Sequence, residues 1–373
     1  MDFALDDDQV TLQSVLREFF DDRVPESAVR AQLEDPTAFD RQLWKRLSVE
    51  LGLPGLAVPE QYGGAGFSFV ELGLVLEEMG RALVVSPFLA SCVMATQLLL
   101  ALDDEDARER LLPGLASGDV LGTVALAEDA GSWQPGDVAA TATAVGDAWR
   151  IDGHKAFVLD GAVADVLLVV ARTPDGIGVF EVAGDASGLE RTPLTTLDQT
   201  RKLARLVFDA VPARRLGTAD GAAAAAAIEL MLDLTRIALA ADAVGGTGRV
   251  LDMSVSYAKT REQFGRTIGS FQAIKHKCAS MLVDLESSRA AVHYALWAAA
   301  TGSDERRIVA PMVKAHCVDV YLAATGENIQ IHGGIGFTWE HPAHLYLKRA
   351  KSSQALLGGS DFHRQLLADR IDI

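Results

Sequence analysis

What most constrains this chain is a change of hydrophobic period, from helical spacing to short β-rich runs and back to helical spacing. In residues 1–118 apolar side chains recur three and four apart. Leu12, Val15, Leu16 and Phe19 trace one face of a helix that Asp7 or Asp8 can cap, and Pro25 ends it. Leu43, Trp44 and Leu47 begin a second amphipathic stretch closed by Gly52 and Pro54, and Phe69 to Met79 reads as helix again. Residues 119–215 differ. Val124-Ala125-Leu126, Ala142 to Val145, Trp149-Arg150-Ile151, Val166 to Val170, Val179 to Val182 and Leu206-Val207-Phe208 are short β-rich runs. Gly146-Asp147 and Asp152-Gly153 sit among them as turn signals. This spacing predicts an antiparallel sheet or barrel rather than βαβ units.

Residues 216–373 return to helix. Ala222 to Val244 is a strong helix former. Ser270 can cap the next helix, whose apolar face runs Phe271, Ile274, Cys278, Met281 or Leu282, and Leu285. A helix from about Arg307 to Ile329 leads into His332-Gly333-Gly334-Ile335-Gly336. The expectation is an α+β chain with an N-terminal helical domain (1–118), a middle antiparallel β-domain (119–215) and a C-terminal helical domain (216–373).

Charge and cysteine usage narrow the function classes. A net charge of −17 argues against a nucleic-acid binder, and it obliges any anionic ligand to find a local basic pocket. Cys92, Cys278 and Cys317 form no C-x-x-C pair and read as small buried hydrophobes. No apolar run suits a bilayer span, since the Ala-rich stretch from Ala222 is broken by Glu229, Asp233 and Arg236. The acidic start Met1 to Asp8 lacks the apolar core of a signal peptide, so a cytoplasmic location is expected. His341 and His344 are spaced as metal ligands can be, but no third ligand lies near in sequence and no metal is expected. Neither Gly246-Thr247-Gly248 nor Gly334-Ile335-Gly336 completes a dinucleotide-binding G-x-G-x-x-G. Gly359-Ser360-Asp361 is not a nucleophile elbow.

Two segments concentrate binding chemistry. Tyr257 to Gln272 gathers Lys259, Arg261 and Arg266, with Lys275 and Lys277 close behind. Guanidinium groups, turn amides and a helix start are the parts needed to hold a diphosphate; the same charges would also suit a solvated helix face. In Gln330-Ile331-His332-Gly333-Gly334 the glycines admit a ligand or another backbone, and Gln330 can hydrogen-bond a phosphate or ribose. A helix C-cap and turn is the other use of such glycines.

Taken together these segments resemble the acyl-CoA dehydrogenase family along nearly the whole chain. Pro59-Glu60-Gln61-Tyr62-Gly63-Gly64 is similar to its P-E-x-Y-G-G loop, and Gly153-x-Lys155 to a feature of its middle domain. Arg261-x-x-Phe264-Gly265 and Gln330-x-x-Gly333-Gly334 resemble its two C-terminal FAD motifs. The resemblance implies a four-helix C-terminal domain, FAD at a subunit interface, an acyl-CoA substrate and an electron-transfer flavoprotein as acceptor. It also implies that Arg261, Phe264, Gln272, Gln330, Gly333 and Gly334 touch the FAD held mainly by a neighbouring chain.

The chain departs from that pattern where the chemistry happens. Removing the Cα proton of a thioester needs a carboxylate. The family's two glutamate positions here hold Leu357 and Thr235, the latter just before Arg236. The nearest acids are Asp361 and Asp233, so the catalytic residue is left unassigned. Ala127-Glu128-Asp129 stands where the family has T-E-P, and Phe157-Val158-Leu159 where it has W-I-T; Ala127 and Leu159 lack the hydroxyls that can bond a flavin ring. The expected function is therefore the base-deficient subunit of a heteromer, as in actinobacterial heterotetrameric acyl-CoA dehydrogenases. The alternatives are a self-sufficient homo-oligomer with a relocated base, or a silent FAD- or CoA-binding protein.

Overall fold

In the computed structural model, residues 5–146, 148–218 and 220–373 are described. Residues 1–4 of the acidic start and Asp147 of the Gly146-Asp147 turn signal lie outside them. Helix α1 (Asp7–Arg23) is capped by Asp6, one residue before Asp7, the nearer of the two expected caps. Asp6 and Gln9 form a reciprocal box: the Asp6 carboxylate accepts from Gln9 N–H at 2.8 Å, and the Gln9 side chain accepts from Asp6 N–H at 3.2 Å. Helices α2 (Glu26–Ala31), α3 (Arg41–Val49), α4 (Phe69–Ala82), α5 (Thr96–Ala101) and α6 (Glu105–Ser117) follow. Leu43, Trp44 and Leu47 are the buried face of α3, as their spacing predicts.

Seven strands come next: β1 (Gly122–Ala125), β2 (Thr141–Val145), β3 (Ala148–Leu159), β4 (Val166–Thr173), β5 (Gly176–Ala183), β6 (Leu189–Pro193) and β7 (Leu203–Leu216). Their pairings close a ring, β4–β2–β3–β7–β5 and back to β4, with β1 added to β4 and β6 to β7. Most contacts are antiparallel, but β4 pairs parallel with β1 and β2. Ile151, Leu167, Val169, Phe180, Leu206 and Val211 fill the interior. Asp152-Gly153 is not a turn. It is a bulge inside β3, where the register with β7 slips between Ile151 and Gly153. The Asp152 carboxylate accepts from Ala210 N–H at 2.8 Å. Gly153 has φ +127°, and an added Cβ would lie 2.9 Å from Ala140 Cα.

The remaining elements are α7 (Gly221–Thr260), the short hairpin β8 (Glu262–Gln263) and β9 (Arg266–Thr267), α8 (Gln272–Ala300), α9 (Arg306–His332), α10 (Ala343–Ala355) and α11 (Ser360–Arg370). The chain divides into two compact units, one of residues up to 31 with 69–84 and 236–373, the other of 32–68 and 85–235. In the first, α8, α10 and α11 pack on α9, and α4 packs on α1 and α8. By length and composition α9 and the turn after it could cross a bilayer, an apolar stretch the sequence reading did not single out; 61% of its most apolar window is buried in the fold. Gly153→Ala should lower stability by about 2 kcal/mol through backbone strain at β3, read as a lower urea midpoint with an unchanged slope.

Candidate functional site

Both candidate binding segments lie in the first unit, and the fold brings them to one corner. Helix α7 ends at Thr260, three residues beyond Tyr257. The chain then turns through Phe264 (φ +56°) and Gly265 (φ +77°), the mirror-image geometry that suits a two-residue hairpin. This lifts Phe264 into solvent, 90% exposed. The Arg266 guanidinium lies 4.0 Å from the centroid of the Phe271 ring. Ser270 does not cap α8: its hydroxyl donates to the Thr267 carbonyl at 2.7 Å, and Phe271 takes the cap position without a side-chain hydrogen bond. The first-turn N–H groups of α8 are therefore left without a capping side chain.

The second segment closes α9. Gly333 terminates the helix at φ +63°, ψ −138°. A Cβ built on Gly333 or Gly334 meets nothing within 4 Å, so the turn is open to an approaching ligand. The two segments meet through Tyr257, whose ring stacks on His332 with centroids 4.4 Å apart. The Ser254 hydroxyl donates to the Asn328 carboxamide oxygen at 2.9 Å, and Lys277 of α8 pairs with Glu327 of α9. Arg261, Phe264, Gln272, Gln330, Gly333 and Gly334 are all exposed around this junction. Among the described residues Arg261 makes no ion pair. Exposed cations in a chain of net charge −17, an uncapped helix start and an open glycine turn fit the diphosphate end of an anionic dinucleotide. The ring contact joining the segments is invisible in sequence, because Tyr257 and His332 are far apart along the chain.

The two positions at which the family resemblance expects a base hold no acid. Leu357 is fully buried, at φ +62°. Thr235 is buried, and its hydroxyl donates to the Met231 carbonyl at 2.7 Å. Asp361 stands fully exposed on the first turn of α11, paired with Arg364 at 2.8 Å. Asp233 is buried and engaged within the fold. His363, also fully buried, has Lys314 and Arg236 as charged neighbours. Burial first, and those two cations after it, push its imidazole down to about 2, which makes it a feeble proton acceptor. The Lys314 ammonium is held by the Gln354 and Gly358 carbonyls, both at 3.1 Å.

In the second unit, the two positions at which the family resemblance expects flavin-bonding hydroxyls are closed. Ala127 and Leu159 are 1% and 2% exposed. Beside them a charge pair missed in the sequence is built into the barrel. Lys155, fully buried, reaches the Leu126 carbonyl and the Glu128 carboxylate, each at 2.9 Å. Burial pushes its ammonium down to about 8 against the pull of Glu128. Burial also acts to raise Glu128, but the N–H groups of Ala140 and Ala139 and the Lys155 ammonium outweigh it and hold that carboxyl low.

Comparison with known proteins agrees with this architecture. Residues 6–119 match the family model "Acyl-CoA dehydrogenase, N-terminal domain" and residues 220–371 match "Acyl-CoA dehydrogenase, C-terminal domain". The chain is 34% identical to "Acyl-CoA dehydrogenase IpdE2" of Mycolicibacterium smegmatis, covering 89% of this chain and 88% of that one. It is similar to the solved Tcur3481-Tcur3483 steroid ACAD variant at 35% identity and TM-score 0.86, covering 98% of both chains. It is also similar to the ChsE4-ChsE5 complex of Mycobacterium tuberculosis, at 28% identity and TM-score 0.89, covering 100% of this chain and 99% of that one. The chain belongs to the acyl-CoA dehydrogenase family of flavin-dependent oxidoreductases, whose cofactor is FAD. Lys155→Met leaves Glu128 without its cation and should cost roughly 3 kcal/mol. Equilibrium unfolding in urea checks this, with partial recovery expected in the Lys155→Met, Glu128→Gln double variant.

Proposed function

We propose that this chain is the base-deficient member of a heteromeric acyl-CoA dehydrogenase, which grips the ADP end of an FAD whose reactive ring belongs to a homologous partner chain. The observation that carries the reading is Leu357, a fully buried apolar side chain where the family's carboxylate stands. Oxidation of an acyl-CoA to a 2-enoyl-CoA requires a proton acceptor at Cα, and FAD when bound supplies the acceptor for the Cβ hydride. No side chain at the two base positions can take that proton.

The split between the sites supports action in trans. Arg236, next to the empty Thr235 position, and Thr260, next to Arg261, are separated by 24 residues of unbroken helix, about 36 Å at 1.5 Å per residue. A flavin that met Arg261 with its diphosphate would have its ring far from the Arg236 end of α7. In this reading Arg261 and the α8 start take the diphosphate. Gln330 bonds phosphate or ribose, the Gly333–Gly334 turn admits the nucleotide backbone, and Phe264 and Gln272 flank it.

The three domains are proposed to be bounded at 1–118, 119–215 and 216–373, in a cytoplasmic oligomer that delivers electrons to an electron-transfer flavoprotein. Since one similar solved protein is described as a steroid ACAD, steroid side-chain CoA esters are the first substrate class to assay. Purified alone, the chain should retain little flavin, and co-expression with its homologous partner should restore it. In the complex, Arg261→Ala should weaken FAD binding roughly 10- to 100-fold, the value of a charge-assisted hydrogen bond, by titration of flavin fluorescence. Asp361→Asn should leave turnover unchanged. Full flavin content and turnover from the lone chain would overturn the proposal.

A further inference from the structure

Behind the Gly333 turn, side chains from three parts of the first unit are layered ring on ring. His332, 5% exposed at the end of α9, lies between Tyr257 of α7 and His341 of the turn before α10. The ring centroids are 4.4 Å and 4.3 Å away, at interplanar angles of 25° and 47°. The His332 Nδ1 is 2.8 Å from the Asn328 carbonyl. A carbonyl only accepts, so Nδ1 carries the proton and Nε2 is bare while the ring is neutral. His341 Nδ1 accepts from Ala343 N–H at 3.2 Å, which puts its proton on Nε2. A second ring pair lies close by in sequence: Trp339 meets His344 edge-on at 4.6 Å, and the Lys348 ammonium sits 4.2 Å over the Trp339 ring.

Burial, rather than a neighbouring charge, sets His332 against a second proton. Lys348 of α10 bears on His344; Glu26 and Arg30 of α2 bear on His341 and His344; and His332 and His344 bear on His341. Among the described residues the only polar influence on His332 itself is the Asn328 carbonyl, which already holds the Nδ1 proton. Burial depresses all three imidazoles, and that of His332 is opposed only by this carbonyl.

We infer that His332 is the positioning residue of the clamp. Its neutral ring, held between Tyr257 and His341, fixes the Gly333–Gly334 turn in register with Arg261, which lies four residues beyond Tyr257, and taking up a proton loosens that register. The inference rests on the reading of Arg261 and Gly333–Gly334 as the ADP-holding segments. The direction follows from linkage. A histidine depressed in the ordered stack leaves that stack undisturbed above the ordinary imidazole value, about 6.5. The stack is progressively lost as pH falls from there through the depressed value.

The test is FAD release from the flavin-loaded oligomer, followed by the rise in free-flavin fluorescence from about pH 8 to pH 5.5, across the imidazole range. In the unmodified protein, release should quicken as pH falls. His332→Phe keeps a ring in the stack and removes the titrating nitrogen, so release should stay slow and lose its pH dependence. His332→Ala removes both ring contacts and should speed release roughly tenfold at every pH. Arg261→Ala should speed release while keeping the pH dependence. A His332→Phe profile that titrates like the unmodified protein would overturn the inference, as would an Ala variant that is folded by circular dichroism and releases at the original rate. If the Ala variant does not fold, the Phe profile decides alone. An Arg261→Ala variant with unaltered release would instead refute the clamp reading, leaving the two failures distinguishable.

Discussion

Helix α7 is the constraint on which the rest depends. From Arg236 to Thr260 it is one unbroken stretch of helix within the first unit, with Tyr257 near its far end. Over about 36 Å, at 1.5 Å per residue, such a helix cannot bring Arg236 and Thr260 to the same end of one dinucleotide. In the proposed reading, a ligand held at Arg261 is therefore far from Thr235, beside Arg236, where the family resemblance expects a second base. The packing of α8, α10 and α11 on α9 completes the unit that holds Arg236 to Thr260. It also places the Gly333 turn against the Tyr257 end of the rod.

The two ends have been treated differently by the sequence. At the Tyr257 end, charge, openness and backbone donors are kept: Arg261 is unpaired among the described residues, Gly333 and Gly334 leave room, and α8 starts without a capping side chain. At the other, polarity has been internalised. Thr235 spends its hydroxyl on its own helix, Lys314 is held by carbonyls, His363 stays neutral, and Leu357 is apolar. A carbon acid needs a proton acceptor with a matched pKa, and none of these groups provides one. In the β-barrel, the burial of Ala127 and Leu159 is in keeping with this, because methyl and isobutyl groups fill the two positions at which the family resemblance expects flavin-bonding hydroxyls.

Much of this was legible in the sequence, and the misses have physical causes. The change of period located the helices and strands, since side-chain alternation is set by backbone geometry alone. Asp152-Gly153 was misread as a turn because a bulge and a turn make the same demand, one residue at positive φ. Ser270 was misread as a cap because its hydroxyl chose the Thr267 carbonyl, a local competition that composition does not reveal. The antiparallel expectation missed the parallel contacts of β4, which are settled by how the ring of strands closes. Among the candidate binding residues, the sequence named the side chains but not the contact that assembles them. Tyr257 and His332 meet only in three dimensions. The exposure of Asp361, and its pairing with Arg364, likewise needed the fold.

The central claim is that this chain supplies no proton acceptor for the acyl α-carbon. It is tested most directly by incubating the purified chain with free FAD and a panel of acyl-CoA thioesters in deuterium oxide, and reading deuterium at Cα by mass spectrometry. The expected result is no exchange above the protein-free rate until a homologous base-bearing chain is added. Rapid Cα exchange by this chain alone would contradict the account.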